Sequence, residues 1–170
     1  MSDIKTWRYV LPNIDSEGWG VVLLDSTGFF AAVSDYGNYA HGWWDSGKKD
    51  FREFFLQAEK DANYFLAKLS RDSEFDADTT VQLIKEYILS HRRERRLSQE
   101  EARLEWERAD ELLADYDERG WCESTRINYA GEFLRYTFPA SAKAFVYQLL
   151  PRLAAAIAEE LKHEREALVG

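Results

Sequence analysis

From Lys5 to Trp44 the chain alternates apolar and polar residues with the period of two that strands require, and beyond Gly47 the period lengthens to about 3.6. Lys5–Val10, Trp19–Leu24, Phe29–Ser34 and Tyr39–Trp44 read as strands. Their punctuation is local. Pro12-Asn13 and Asp15–Gly18 form a loop, Asp25-Ser26-Thr27-Gly28 a hairpin turn with glycine at positive φ, and Asp35-Tyr36-Gly37-Asn38 a second turn. A three- to four-stranded antiparallel meander follows. Val21–Leu24 and Phe29–Val33 are apolar at successive positions, so both faces of this sheet should be covered, by helices or by a partner.

Helical periodicity then dominates. Phe51, Phe54, Phe55 and Ala58 share one face, and Tyr64, Phe65 and Leu69 another after a break near Asp61. Asp78 or Thr79 is placed to cap a helix with Val81, Ile84 and Ile88 on one stripe. Ser98 and Glu101 form a capping box, the clearest helix start in the chain. Ala102, Trp106, Ala109, Leu113 and Tyr116 give that helix an apolar seam at 4-3-4-3 spacing, which Gly120 should end. Ser124 or Thr125 should start a helix through Ile127, Ala130, Phe133 and Leu134. The last helix, Ala142 to about Leu168, contains Pro151, which predicts a kink or two helices in succession. The expectation is an α+β protein in which the N-terminal meander packs against a mostly helical C-terminal two-thirds. It is read as a single domain over 1–170, β-rich over 1–47 and helical over 48–170.

Composition adds a well-fed core, with 45% hydrophobic and 15% aromatic residues. Cys122 is the sole cysteine and has no disulfide partner in the chain, no apolar leader follows the start, and no apolar run approaches the ~20 residues a bilayer demands. A soluble protein of an intracellular, reducing compartment, without a membrane anchor, is expected.

Charge is uneven. The formal net charge is −9, and residues 98–138 carry 11 acidic against 5 basic side chains. Such a field repels phosphate backbones and disfavours direct nucleic-acid binding. Glu100, Glu107, Glu111, Asp115 and Glu118 could present a row of carboxylates to a basic groove on a protein partner, or could simply be a solvated face. Arg92, Arg93, Arg95 and Arg96, following His91, form the one dense basic cluster. Its guanidinium groups could grip phosphate or an acidic surface, or could complement the helix end and pair with Glu100, Glu101 and Glu105.

Other chemistry is sparse. Asp35, Tyr36 and Asn38, with His41 nearby, could contact a ligand or partner from one turn, or could merely shape it. Glu160 and His163 have the E-x-x-H spacing of di-iron bundles but lack the second motif such sites need, and Cys122 has no base beside it. Neither phosphate-loop, nucleophile-elbow nor zinc-ligand patterns occur. No catalytic, metal or cofactor site is assigned.

Residues Gly28–Ala40, reading Gly-Phe-Phe-Ala-Ala-Val-Ser-Asp-Tyr-Gly-Asn-Tyr-Ala, then Trp43 or Trp44 and the Phe51-Arg52-Glu53-Phe54 helix, resemble small proteins encoded by bacteriophages and prophages. The resemblance covers roughly 19–69. It implies a viral or mobile-element origin and an accessory gene acting in the cytoplasm of a bacterial host. Put together with the acidic helix, the expectation is a non-catalytic protein that binds and inhibits a bacterial defence assembly, a CRISPR effector complex first, whose Lys/Arg channel suits an acidic occupant. Two other readings stay open. One is a small enzyme acting on a nucleotide or small ligand at the Asp35/His41 turn; the other is a phage structural or regulatory module that self-associates through its aromatic surface.

Overall fold

Four strands, β1 (Thr6–Leu11), β2 (Gly20–Asp25), β3 (Phe29–Ser34) and β4 (Gly37–Gly42), form an antiparallel meander in the order β1-β2-β3-β4. The computed structural model describes residues 3–169. Gly28 closes the first hairpin, because its φ of +92° and its approach to the Trp43 carbonyl leave no room for a Cβ. The second turn is tighter than its sequence suggested. Ser34 pairs with Gly37, so only Asp35 and Tyr36 turn and Gly37-Asn38 already belong to β4.

Register decides which side chains share a face. Trp7, Leu24, Phe30 and His41 lie in one row, and Tyr9, Val22, Ala32 and Tyr39 in the next. On this inner face Trp7, Leu11, Val22, Leu24, Phe30 and Ala32 are buried. They meet a 3₁₀ helix (Phe51–Gln57), α1 (Ala62–Leu69) and the C-terminal helical run. Phe30 stacks on Phe55 at 5.4 Å, and Trp43 packs edge-on to Phe30, Phe55 and Phe65.

The outer face has a different fate. Arg8, Leu23, Ala31 and Ala40 form its middle row, and Val10, Val21, Val33 and Asn38 the row beside it. Val10 is 51% exposed and Val33 53%. At these two positions the expected cover on the second face is not supplied by the described residues, and Val21, Leu23, Phe29 and Ala31 are half-buried.

Two compact units emerge, one running to Asp72 and resuming at Phe138, the other Ser73–Thr137. The helical stretch expected over 48–170 is thus shared between them. In the first unit the final helical run comprises α5 (Ala140–Ala144), a π-helical turn (Phe145–Leu149) and α6 (Leu150–Val169). Proline cannot donate, and its ring crowds the carbonyl four residues back. The chain meets this demand by widening: the Leu150 N–H bonds the Phe145 carbonyl five residues back, and the helix continues through Pro151.

The second unit contains β5 (Glu74–Phe75), α2 (Ala77–Arg93), α3 (Gln99–Asp115), α4 (Glu118–Ser124) and β6 (Tyr136–Thr137), with β5 and β6 paired antiparallel. Asp76, rather than Asp78 or Thr79, caps α2, its carboxylate accepting from the Thr79 N–H at 3.0 Å. Val81, Ile84 and Ile88 are buried as their stripe required, against Ala109 and Leu112 of α3. The Ser98/Glu101 capping box is formed. The seam of α3 departs from expectation at its end, since Leu112 is buried while Leu113 and Tyr116 are exposed. Tyr116 takes the left-handed conformation and stops α3, and Gly120 lies inside α4 because the Asp117 carboxylate caps its N–H. No helix starts at Ser124 or Thr125; α4 ends there, and only a 3₁₀ turn at Ala130–Phe133 follows. No helix among the described residues is long and apolar enough to cross a membrane.

Candidate functional site

The hairpin tip is occupied with its own structure. The Asp35 carboxylate accepts from the Trp19 N–H at 2.8 Å, the Tyr36 hydroxyl donates to Gln148 at 2.7 Å, and the Tyr39 hydroxyl donates to the Tyr36 carbonyl at 2.9 Å. Asn38 is exposed on the outer face. His41 lies at the far end of β4, roughly 13 Å of strand from the tip, with its ring on Trp43 at 4.5 Å. Burial, then the charges of Lys68 and Arg71, lower its pKa, which favours the neutral imidazole. The structure does not bring Asp35 and His41 together.

The other singled-out groups are also dispersed. The Cys122 thiol is pushed up by burial and then by Glu118 and Glu123, so the nucleophilic thiolate is disfavoured. His163 is exposed and lies 3.2 Å from Glu159, while Glu160 faces the other way, accepting from Tyr9 and Arg52. No group of three or more potential metal-ligating His, Cys, Asp or Glu side chains occurs among the described residues.

Sequence reasoning missed the most heavily paired charge. Arg52 is 1% exposed, and its guanidinium reaches Asp50 at 2.6 Å, Glu164 at 2.7 Å and Glu160 at 3.2 Å while lying 4.8 Å from the Trp7 ring. Two of its partners are a turn apart on α6 and more than a hundred residues distant in sequence, a separation no local pattern reports. In the second unit Glu105, expected only as an exposed partner for the arginine cluster, is instead a buried carboxylate inside the α3 seam. It accepts from Arg108 at 2.6 Å, from the Arg126 N–H at 3.2 Å and from the Thr125 hydroxyl, and so organises the loop after α4. Both are scaffold.

The α2–α3 hairpin separates charge along its length. At its tip Arg92, Arg93, Arg95 and Arg96 are exposed. They do not pair with Glu100, Glu101 or Glu105: Arg92 donates to the Leu97 carbonyl and Arg96 pairs with Glu94 at 2.9 Å. Arg95 adopts φ +59° as the chain turns. From about 12 Å along α3, the charge inverts. Glu107, Glu111 and Asp115 recur every four residues and are all exposed, with Glu107 held by Arg103 at 2.8 Å. Glu118 lies on α4 instead, where it accepts from the Tyr136 hydroxyl, and Glu100 lies in the first turn of α3.

Near the end of α3 the side chains of Arg108, Glu111, Asp115 and Asp117 line a cleft of about 210 Å³ floored by Leu112 and Trp121. Arg108 is committed to Glu105. The last turn of α3 has no basic residue to complement its carbonyl end. Asp115 therefore sits where the helix field disfavours a carboxylate, and a locally unfavourable charge is the kind of exception that marks function.

Against known proteins, a family model described as a phage family matches residues 2–162. The chain belongs to this phage family. No curated protein and no solved structure matches it. The phage origin expected from the Gly28–Ala40 hairpin is thus established for nearly the whole length of the protein, including the acidic second unit.

Proposed function

We propose that this phage protein is a non-catalytic accessory factor that works in the cytoplasm of the bacterial host by docking the acidic surface of α3 and α4 onto a basic groove of a host assembly. The target class is a defence complex that handles nucleic acid, with CRISPR effector complexes foremost because their Lys/Arg channels accept regularly spaced negative charge. The observation that carries the reading is the run Glu107, Glu111, Asp115 on α3, continued by Asp117 around the cleft and placed against the helix field. The second unit holds 16 acidic and 10 basic side chains, and four of those basic ones are gathered at the opposite hairpin tip. The other six, among them Arg103 and Lys85, which pair with Glu107 and Asp110, leave the acidic end with a net negative charge.

The test uses purified effector complexes and the intact protein. Inhibition should saturate near one equivalent per complex, and binding should weaken as salt rises, because exposed charge pairs are screened. Glu107→Lys, Glu111→Lys and Asp115→Lys together should weaken binding about tenfold or more while circular dichroism and melting stay close to wild type. Unchanged affinity in the triple variant would remove α3 from the mechanism. Sub-stoichiometric inhibition abolished by His41→Ala would favour the enzyme instead.

A further inference from the structure

We propose that the outer face of the β-sheet is a homodimer interface, formed by two copies packed sheet against sheet about a two-fold axis parallel to the strands. It is independent of the acidic docking reading and uses the other unit.

The face offers seven apolar positions, Val10, Val21, Leu23, Phe29, Ala31, Val33 and Ala40, while its polar residues, Thr6, Arg8, Asp25 and Asn38, lie on the edge strands or at a strand end, so that the centre lacks the polar residues of a solvated sheet face. Trp44 extends it. Its indole is 72% exposed and lies so close to Gly42, which pairs with Phe29 on this face, that any Cβ there would strike the ring. Contiguous apolar surface of this kind on a soluble chain marks an interaction site.

Charge and size select the occupant. Four strands about 4.8 Å apart and six residues long cover about 400 Å², and side-chain relief with the Trp44 indole raises this to roughly 600 Å² per copy. Two copies would bury about 1,200 Å², where specific interfaces begin. Arg8 is the basic residue of the face and lies in its middle row on the edge strand β1. A two-fold axis across the strands would stack Arg8 on its own copy. With the axis along the strands, β1 lies over the partner's β4 and β2 over the partner's β3. Each Leu23 then faces an Ala31, large against small, and the two Arg8 side chains stand about 14 Å apart, beyond the screening length at physiological salt. The same operation carries Trp44 over the partner's β1, within reach of an Arg8 guanidinium. Aligned sheets of this kind pack about 30° apart, like the halves of a sandwich.

Sedimentation or light scattering of the full chain across a concentration series tests this. The mass should rise from 19.9 kDa toward about twice that, with a midpoint in the micromolar range expected of a minimal interface. Val33→Lys and Trp44→Ala each alter an exposed side chain, so each should remain folded by circular dichroism while shifting the midpoint about tenfold or more. The Glu107/Glu111/Asp115 triple-lysine variant should dimerise like wild type, which separates this interface from the acidic surface. A mass that stays monomeric up to about 200 µM would overturn the proposal. So would a dimer indifferent to both sheet substitutions.

Discussion

Removing Arg52 should be among the costliest single changes in charge. The guanidinium is 1% exposed, but its three carboxylate partners retain 27%, 40% and 43% of their side-chain exposure. Breaking a wholly buried pair costs about 3–5 kcal/mol, and a surface pair about 0–1 kcal/mol. Here the abandoned carboxylates can rehydrate, which places Arg52→Ala between those limits at roughly 2–3 kcal/mol, about 1 kcal/mol of it from lost packing on Trp7. Arg52→Met keeps that packing and should cost about 1–2 kcal/mol. In thermal melts the alanine variant should fall by about 5–10 °C. The pH dependence carries a sign. Burial raises the Asp50 carboxyl, but hydrogen bonds from Arg52 outweigh it and hold the group below its ordinary 3.8; the Arg52 hydrogen bonds likewise hold Glu164 below 4.5. Depressed carboxyls stabilise the fold above their unfolded values and cease to do so as the pH falls through their folded ones. The gap between wild type and Arg52→Met should therefore be full at neutral pH and close below about pH 4.5. A variant within about 0.5 kcal/mol of wild type at pH 7, or a gap that widens on acidification, would refute the reasoning.

Glu105→Ala leaves the Thr125 hydroxyl and the Arg126 N–H without their acceptor. It should destabilise the second unit by about 2–4 kcal/mol, read as faster hydrogen exchange confined to Ser73–Thr137. Two glycines make a matched pair. Gly28→Ala drives a Cβ to 2.2 Å from the Trp43 carbonyl oxygen at φ +92° and should lower stability by more than about 2 kcal/mol. Gly47→Ala, at φ +67° with open space around it, should cost only about 1 kcal/mol in the same denaturant titration.

What the sequence made legible was local. Asp25–Gly28 and the alternation on either side placed the first hairpin to within a residue, and Ser98 with Glu101 located the start of α3, because each signal is completed within four residues. The end of α3 was misread for the same reason: a tyrosine, not a glycine, adopts the left-handed stop, and the glycine that follows is capped inside the next helix. Pro151 announced a disturbance but not its form, since a π turn depends on how the Phe145–Leu149 carbonyls are re-paired. The acidic row was visible as composition. Its arrangement depended on Arg108 pairing with Glu105 and on Glu118 turning away on α4, neither of which periodicity encodes.

The pairing of β5 with β6 bears on how this protein could have been assembled over evolutionary time. Glu74 sits opposite Thr137 and Phe75 opposite Tyr136, so the chain leaves and re-enters at neighbouring points about 5 Å apart. The intervening segment behaves as a cassette whose base is zipped shut. Once the cassette has folded, the body need no longer close a loop of some sixty residues, a saving of about 3–4 kcal/mol in chain entropy. A lineage under pressure from changing hosts could exchange or erode such an insert while its sheet, its buried arginine and its aromatic interior went untouched.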